Sequence, residues 1–138
     1  MSANLLLVDD DAAALYALSE MLSDLPVRLA LARSGEEALR QILKAEFALA
    51  MLDVRLPKMD GFEVAAAIRS LERTRRMPII FMSANEDRRR RPRDAAVNEH
   101  YFRKPLRPDL VRAKIAELLG PLPTAMDMRT AGLENRPG

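Results

Sequence analysis

The sequence predicts an α/β fold with a doubly wound parallel sheet, and three observations carry that prediction. Short, wholly apolar runs recur along the chain. They alternate with segments whose apolar residues repeat every three to four positions, the helical period. Several of these runs stop abruptly at a polar side chain, so the ends that carry chemistry fall on the same rim of the sheet.

Residues 5–8 form the first such run and end at Asp9, Asp10 and Asp11. A continuous apolar stretch of this length suits a strand covered on both faces. From residue 12 to 22, Ala14, Leu15, Leu18, Met21 and Leu22 fall on one helical face, with Asp11 placed to cap the start. Asp24 and Pro26 end that helix, and residues 27–31 give a second strand. Ser34 and Glu37 have the spacing of a capping box ahead of Ala38, Leu39, Ile42 and Leu43, the second helix.

Residues 48–52 are apolar again and end on Asp53; a loop with Pro57 and Gly61 leads to a third helix through Val64, Ala65, Ile68 and Leu71. A fourth run at 78–82 ends at Ser83, and a fifth short strand at 100–102 ends near Lys104 and Pro105. Leu110, Val111, Ile115, Leu118 and Leu119 define a final helix, closed by Gly120. Five strands and about five helices with short connections imply right-handed crossovers and helices on both faces.

At 138 residues the chain suits one domain. Residues 1–120 are expected to form it, while 121–138, rich in Pro, Gly and polar residues, read as a flexible tail or the start of a linker. Hydrophobic residues make up 49% and charged residues 30%, a globular balance, whereas only 4% are aromatic, so the core must be aliphatic. The absence of cysteine excludes disulfides and thiolate metal sites and fits a reducing cytoplasm. The first apolar run is too short for a signal peptide or a membrane span. A net charge of +2 names no partner.

On the predicted rim stand Asp9, Asp10, Asp53, Ser83 and Lys104. Taken singly, each has an ordinary explanation, as a helix cap or a turn residue. Together, carboxylates converging on one place repel and raise one another's pKa unless a cation lies among them. Oxygen donors without His or Cys favour Mg²⁺, which keeps waters free for phosphate oxygens. A divalent ion and Lys104 then cancel the formal charge of three carboxylates. A carboxylate can also act as a nucleophile toward phosphorus, and Asp53 is the best placed to do so.

VDDD at the first strand, LDVRLPKMDGFE around the third, FMSA at the fourth and YFRKP at the fifth resemble the signature of the response-regulator receiver domain, over about residues 4–119. The resemblance implies strand order 2-1-3-4-5 in a flavodoxin-like receiver fold. It implies that Asp53 is the phosphoacceptor and that Mg²⁺ is held by Asp10 directly, by Asp9 largely through water, by Asp53, and by the backbone carbonyl of Arg55. Ser83 matches the hydroxyl that turns toward the phosphoryl group, Tyr101 the aromatic whose rotamer follows it, and Lys104 the family's lysine, with a cis bond to Pro105. Arg55 and Asn85 fall where phosphoryl lifetime is tuned. A histidine kinase or phosphotransfer protein is the expected donor. A homodimer or an effector is expected to meet the face of the fourth helix, fifth strand and fifth helix.

The pattern departs from the family at residues 85–100. Arg88 to Arg91, Pro92 and Arg93 occupy the expected fourth helix, which Pro92 would stop or kink, and Val97 and Asn98 stand where a Gly-Ala pair is common. An arginine run without interleaved aromatics or a helix-turn-helix reads as a solvated or protein-facing surface; direct DNA binding is not expected. Two other readings compete. Asp9-x-Asp11 resembles the acid pair of haloacid dehalogenase phosphatases, although three alanines follow it and there is little length for a cap. A degenerate receiver would bind partners without being phosphorylated. Flavin binding is discarded, because three carboxylates would repel a cofactor phosphate.

Overall fold

The computed structural model describes residues 3–84 and 98–120. In chain order the elements are β1 (Ala3–Val8), α1 (Ala12–Met21), β2 (Val27–Ala32), α2 (Gly35–Lys44), β3 (Leu49–Asp53), α3 (Gly61–Ser70), β4 (Ile79–Ser83), β5 (Glu99–Arg103) and α4 (Pro108–Leu119), with a 3-10 turn at Glu72–Thr74 between α3 and β4. The five strands form one sheet in the order β2-β1-β3-β4-β5, all pairs parallel. That is the expected order. The expected fourth helix, with Pro92 and the arginine run, and the expected tail at 121–138 lie outside the described residues; the expected fifth helix is α4.

Strand alternation divides the apolar residues between two cores. Leu6 and Val8, Ala50 and Leu52, and Ile79 and Phe81 face one layer with Ala38 and Ile42 of α2 and Val64, Ala65 and Ile68 of α3. Leu5 and Leu7, Leu49 and Met51, and Ile80 and Met82 face the other, with Leu15 and Leu18 of α1 and Val111 and Ile115 of α4. The middles of β1, β3 and β4 are apolar on consecutive positions because both of their faces are covered. This explains why the central runs lack the polar alternation of a half-exposed strand.

Local chemistry sets the helix starts. The Asp11 side chain accepts from Ala13 N–H and caps α1, as expected. Ser34 caps α2 by accepting from Glu37 N–H at 3.1 Å, but the Glu37 carboxylate reaches the N–H of Arg33 at 3.2 Å rather than that of Ser34. The complete capping box lies at α3, where Asp60 and Glu63 exchange both bonds. The sequence reading did not single out that pair, since a loop proline and glycine drew the boundary there. Asn98 enters β5 at φ 71°, the left-handed region that Asn tolerates, and its side chain donates to the Arg76 carbonyl.

Candidate functional site

The sheet delivers its polar residues to one end. Asp9 follows β1 and continues the ladder to β2, its N–H donating to the Ala32 carbonyl at 3.1 Å. Asp53 is the last residue of β3 and pairs with Met82 of β4, so Ser83 stands one position further along the neighbouring strand. Lys104 follows β5 and is tied to Ser83, donating its backbone N–H to the Ser83 carbonyl at 2.8 Å. The Lys104–Pro105 bond is cis, as the resemblance implied.

A close approach fixes the far side of β3. Gly61 opens α3 with its N–H on the Val54 carbonyl at 2.9 Å. A Cβ on Gly61 would lie 2.4 Å from the backbone oxygen of Asp53, a contact no side chain can make. Glycine is required there because the helix start rests on the peptide of Asp53 itself.

Asp9, Asp10 and Asp53 each offer a carboxylate oxygen, and these oxygens lie within 4.8 Å of one another. Asp9 and Asp53 are buried, at 3% and 6% exposure, whereas Asp10 is exposed. The Lys104 ammonium donates to Asp9 Oδ2 at 2.8 Å and to Asp53 Oδ2 at 3.3 Å. Backbone groups hold the other oxygens: Asp11 N–H donates to Asp9 Oδ1 at 3.0 Å, and Arg55 N–H to Asp53 Oδ1 at 3.2 Å.

Burial pushes the Asp53 carboxyl up to about 6, and the neighbouring Asp9 charge adds to that; Lys104 and the Arg55 N–H pull it partly back. Burial also works against the charge on Lys104. Its bonds and charge pairing with Asp9 and Asp53 outweigh that burial, and its pKa lies above the ordinary lysine value. One lysine thus faces a group of three carboxylates, a cluster chemically suited to a hard cation. Beside it opens a cleft of about 750 Å³, lined by Asp10, Arg55, Pro57, Lys58, Asp60 and Glu63 among others.

Tyr101 pairs with Phe81 across β4 and β5, and its ring stacks on Phe81 at 5.0 Å with Phe62 of α3 at 6.5 Å. The aromatic group therefore connects β5 to the core beneath α3. The Asp11 side chain caps α1 and is not one of the three carboxylates of the cluster. Asn85 lies outside the described residues. Arg33 was missed by the sequence reading: its Nη2 donates to the Asp10 carbonyl at 3.0 Å across 23 positions of sequence, and no local pattern signals such a contact.

The family profile of the response regulator receiver domain matches residues 5–116. The chain belongs to that family. Among curated proteins, the receiver is 43% identical over 84 residues to the transcriptional regulatory protein AfsQ1 of Streptomyces coelicolor, covering 61% of this chain and 36% of that protein. It is 36% identical over 123 residues to the transcriptional regulatory protein GltR of Pseudomonas aeruginosa, covering 86% of this chain and 51% of that one. The chain thus spans about half or less of the length of these two relatives.

Among solved structures, a receiver domain of a sensor histidine kinase from Pseudomonas aeruginosa, with magnesium coordinated in its active-site cleft, superposes with a TM-score of 0.78 at 29% identity, covering 87% of this chain and 99% of that one. The response regulator TrrA of Thermotoga maritima, in complex with Mg²⁺ and BeF, gives 0.76 at 30% identity over 85% of this chain and 99% of its own. The receiver is a phosphoacceptor domain of two-component signalling, and its chemistry is its own aspartyl phosphorylation and dephosphorylation. No described helix is long and apolar enough to cross a membrane.

Proposed function

We propose that Asp53 accepts the phosphoryl group, that Mg²⁺ is bound by Asp9, Asp10, Asp53 and the Arg55 carbonyl, and that Ser83, Tyr101 and Lys104 carry the switch. The observation that bears most weight is the cluster of three carboxylates within 4.8 Å, two of them, Asp9 and Asp53, bridged by the Lys104 ammonium. One solved relative holds magnesium in its active-site cleft, and another is in complex with Mg²⁺ and BeF. When bound, the ion would neutralise charge on the transferring group and lower the repulsion between Asp53 and an anionic donor.

The chain's own residues do the rest. A carboxylate oxygen of Asp53 attacks phosphorus, the donor's bond to phosphorus breaks, and the acyl phosphate remains on the side chain. The Arg55 N–H orients the carboxylate, and Lys104, already bonded to Asp53 Oδ2, passes to an oxygen of the phosphoryl group. The added charge and acceptor oxygens bias Ser83 toward the phosphoryl group and move the Tyr101 ring on Phe81. The donor is a phosphohistidine of a histidine kinase or a phosphotransfer protein.

Residues 1–120 form the receiver unit and 121–138 the tail or linker start, in the cytoplasm. Output runs through the face to which β5 and α4 contribute, to a second copy or an effector protein. Support for this face is the position of β5 at the sheet edge and the pairing of β4, which ends at Ser83, with β5, where Tyr101 stacks on Phe81.

Incubation with Mg²⁺ and acetyl phosphate, followed by intact mass and light scattering beside Asp53→Asn, tests this reading. A metal-dependent phosphoryl adduct that disappears in the variant is expected. An adduct that persists in the variant, or none at saturating donor, overturns it, the latter in favour of a receiver that binds without phosphorylation.

A further inference from the structure

The three carboxylates are not held alike. Asp9 and Asp53 are buried and share Lys104, whereas Asp10 is exposed. Its backbone is nevertheless tied from both sides. The following amide, Asp11 N–H, donates to Asp9 Oδ1, and the carbonyl of Asp10 accepts from the guanidinium of Arg33 at 3.0 Å.

Arg33 is itself fixed. It follows the last residue of β2, Ala32, whose carbonyl receives Asp9 N–H, and its own N–H donates to Glu37 Oε2 of α2. Gln41, one turn along α2, donates to the Leu31 carbonyl at 2.8 Å. The end of β2 and the first turns of α2 thus form a brace, and the Arg33 side chain extends it to the peptide of Asp10.

We infer that Arg33 is a positioning residue, whose hydrogen bond to the Asp10 carbonyl presets the Asp10 carboxylate for cation binding in the Asp9, Asp10 and Asp53 cluster. The inference rests on the proposed Mg²⁺ site. An exposed carboxylate on an untethered peptide loses conformational freedom when it ligates an ion; with the peptide already fixed, less is lost. Outer groups that orient ligands typically change metal affinity by about 10- to 100-fold when removed. Arg33 is exposed, and its charge opposes a cation nearby, so about three- to tenfold is expected here. Positioning and charge act in opposite directions, and substitutions separate them.

Titration calorimetry with Mg²⁺ alone is the test, on the full chain and on Arg33→Ala, Arg33→Gln and Arg33→Lys, with thermal midpoints measured without metal. Positioning predicts about three- to tenfold weaker binding in Arg33→Ala, partial recovery in Arg33→Gln and Arg33→Lys, which can still donate, and near-unchanged midpoints. The Asp10 and Asp11 amide resonances should shift in metal-free Arg33→Ala. Binding that is equal or tighter in both Arg33→Ala and Arg33→Gln overturns the inference while leaving the metal site intact. Absence of Mg²⁺ binding by the unsubstituted chain overturns the metal site itself, and this inference with it.

Discussion

At one end of β4 and β5 the guanidinium of Arg69 donates to Glu99 at 3.1 Å and to the carbonyls of Arg75 and Met77 at 3.0 and 2.6 Å, with longer bonds to Thr74 and Asn98. At the other end the ammonium of Lys104 faces Asp9 and Asp53, with Asp10 beside them. Both sites withdraw charge from water. In the first, one cation meets one carboxylate and a ring of carbonyl oxygens, so the charges are matched. In the second, negative charge exceeds positive, and Asp53 takes up the difference as a pKa raised to about 6 by burial and by Asp9. A matched buried pair holds elements together; a mismatched one keeps a demand for a cation.

Breaking the matched end is expected to have the largest effect on stability. Arg69→Ala would strand the Glu99 carboxylate, whose side chain is 6% exposed, and release several carbonyls at once. A loss of about 2–4 kcal/mol is expected in urea unfolding. A loss below about 1 kcal/mol would mean that the pair behaves as a surface pair, and the comparison would fail at that end.

Gly61→Ala comes next, because its Cβ would press on the Asp53 carbonyl oxygen at 2.4 Å. About 1–3 kcal/mol should be lost to overpacking, accompanied by slower phosphorylation as the acceptor strand shifts. Unfolding and adduct formation measured on the same variant check whether strain at the helix start is transmitted to Asp53, the proposed acceptor.

Relieving the mismatched end should act in the opposite direction. Asp53 has a higher pKa folded than unfolded, so the folded chain holds its proton more tightly. Its contribution is therefore full below about pH 4 and is lost as pH rises through 6. Without metal, Asp53→Asn should be more stable than the original at pH 7 by about 1–2 kcal/mol, with little difference at pH 4. Melting curves from pH 4 to 7, with and without Mg²⁺, would show it. A variant less stable at pH 7 would mean that Lys104 already balances the site.

Much of the fold was legible because its signals are local. The runs at 5–8 and 48–52 read as strands, and the structure buries all of those residues except Ala48, which is half-buried. Cap positions were also readable where one side chain serves its own helix, as at Asp11. Elsewhere the pattern misled: Ser34 and Glu37 have capping-box spacing, yet Glu37 bonds the N–H of Arg33, while Asp60 and Glu63 form the complete box. Spacing states that a carboxylate can reach back, and the path of the chain decides which amide is there.

The sequence by itself determined the α/β class, which residues end the strands, and so which side chains reach the rim, because strand period and turn chemistry act over a few residues. Only the tertiary structure decided that Lys104 bridges Asp9 and Asp53 across 95 and 51 positions, that Gly61 lies against the Asp53 peptide, and that Arg33 holds Asp10. The Arg33 contact joins the ends of neighbouring strands, β2 and β1, whereas Lys104 reaches from the edge strand β5 past β4 to the ends of β3 and β1. These contacts form when burial of two apolar faces fixes the order of the strands, and that burial sets the geometry of charge at their ends.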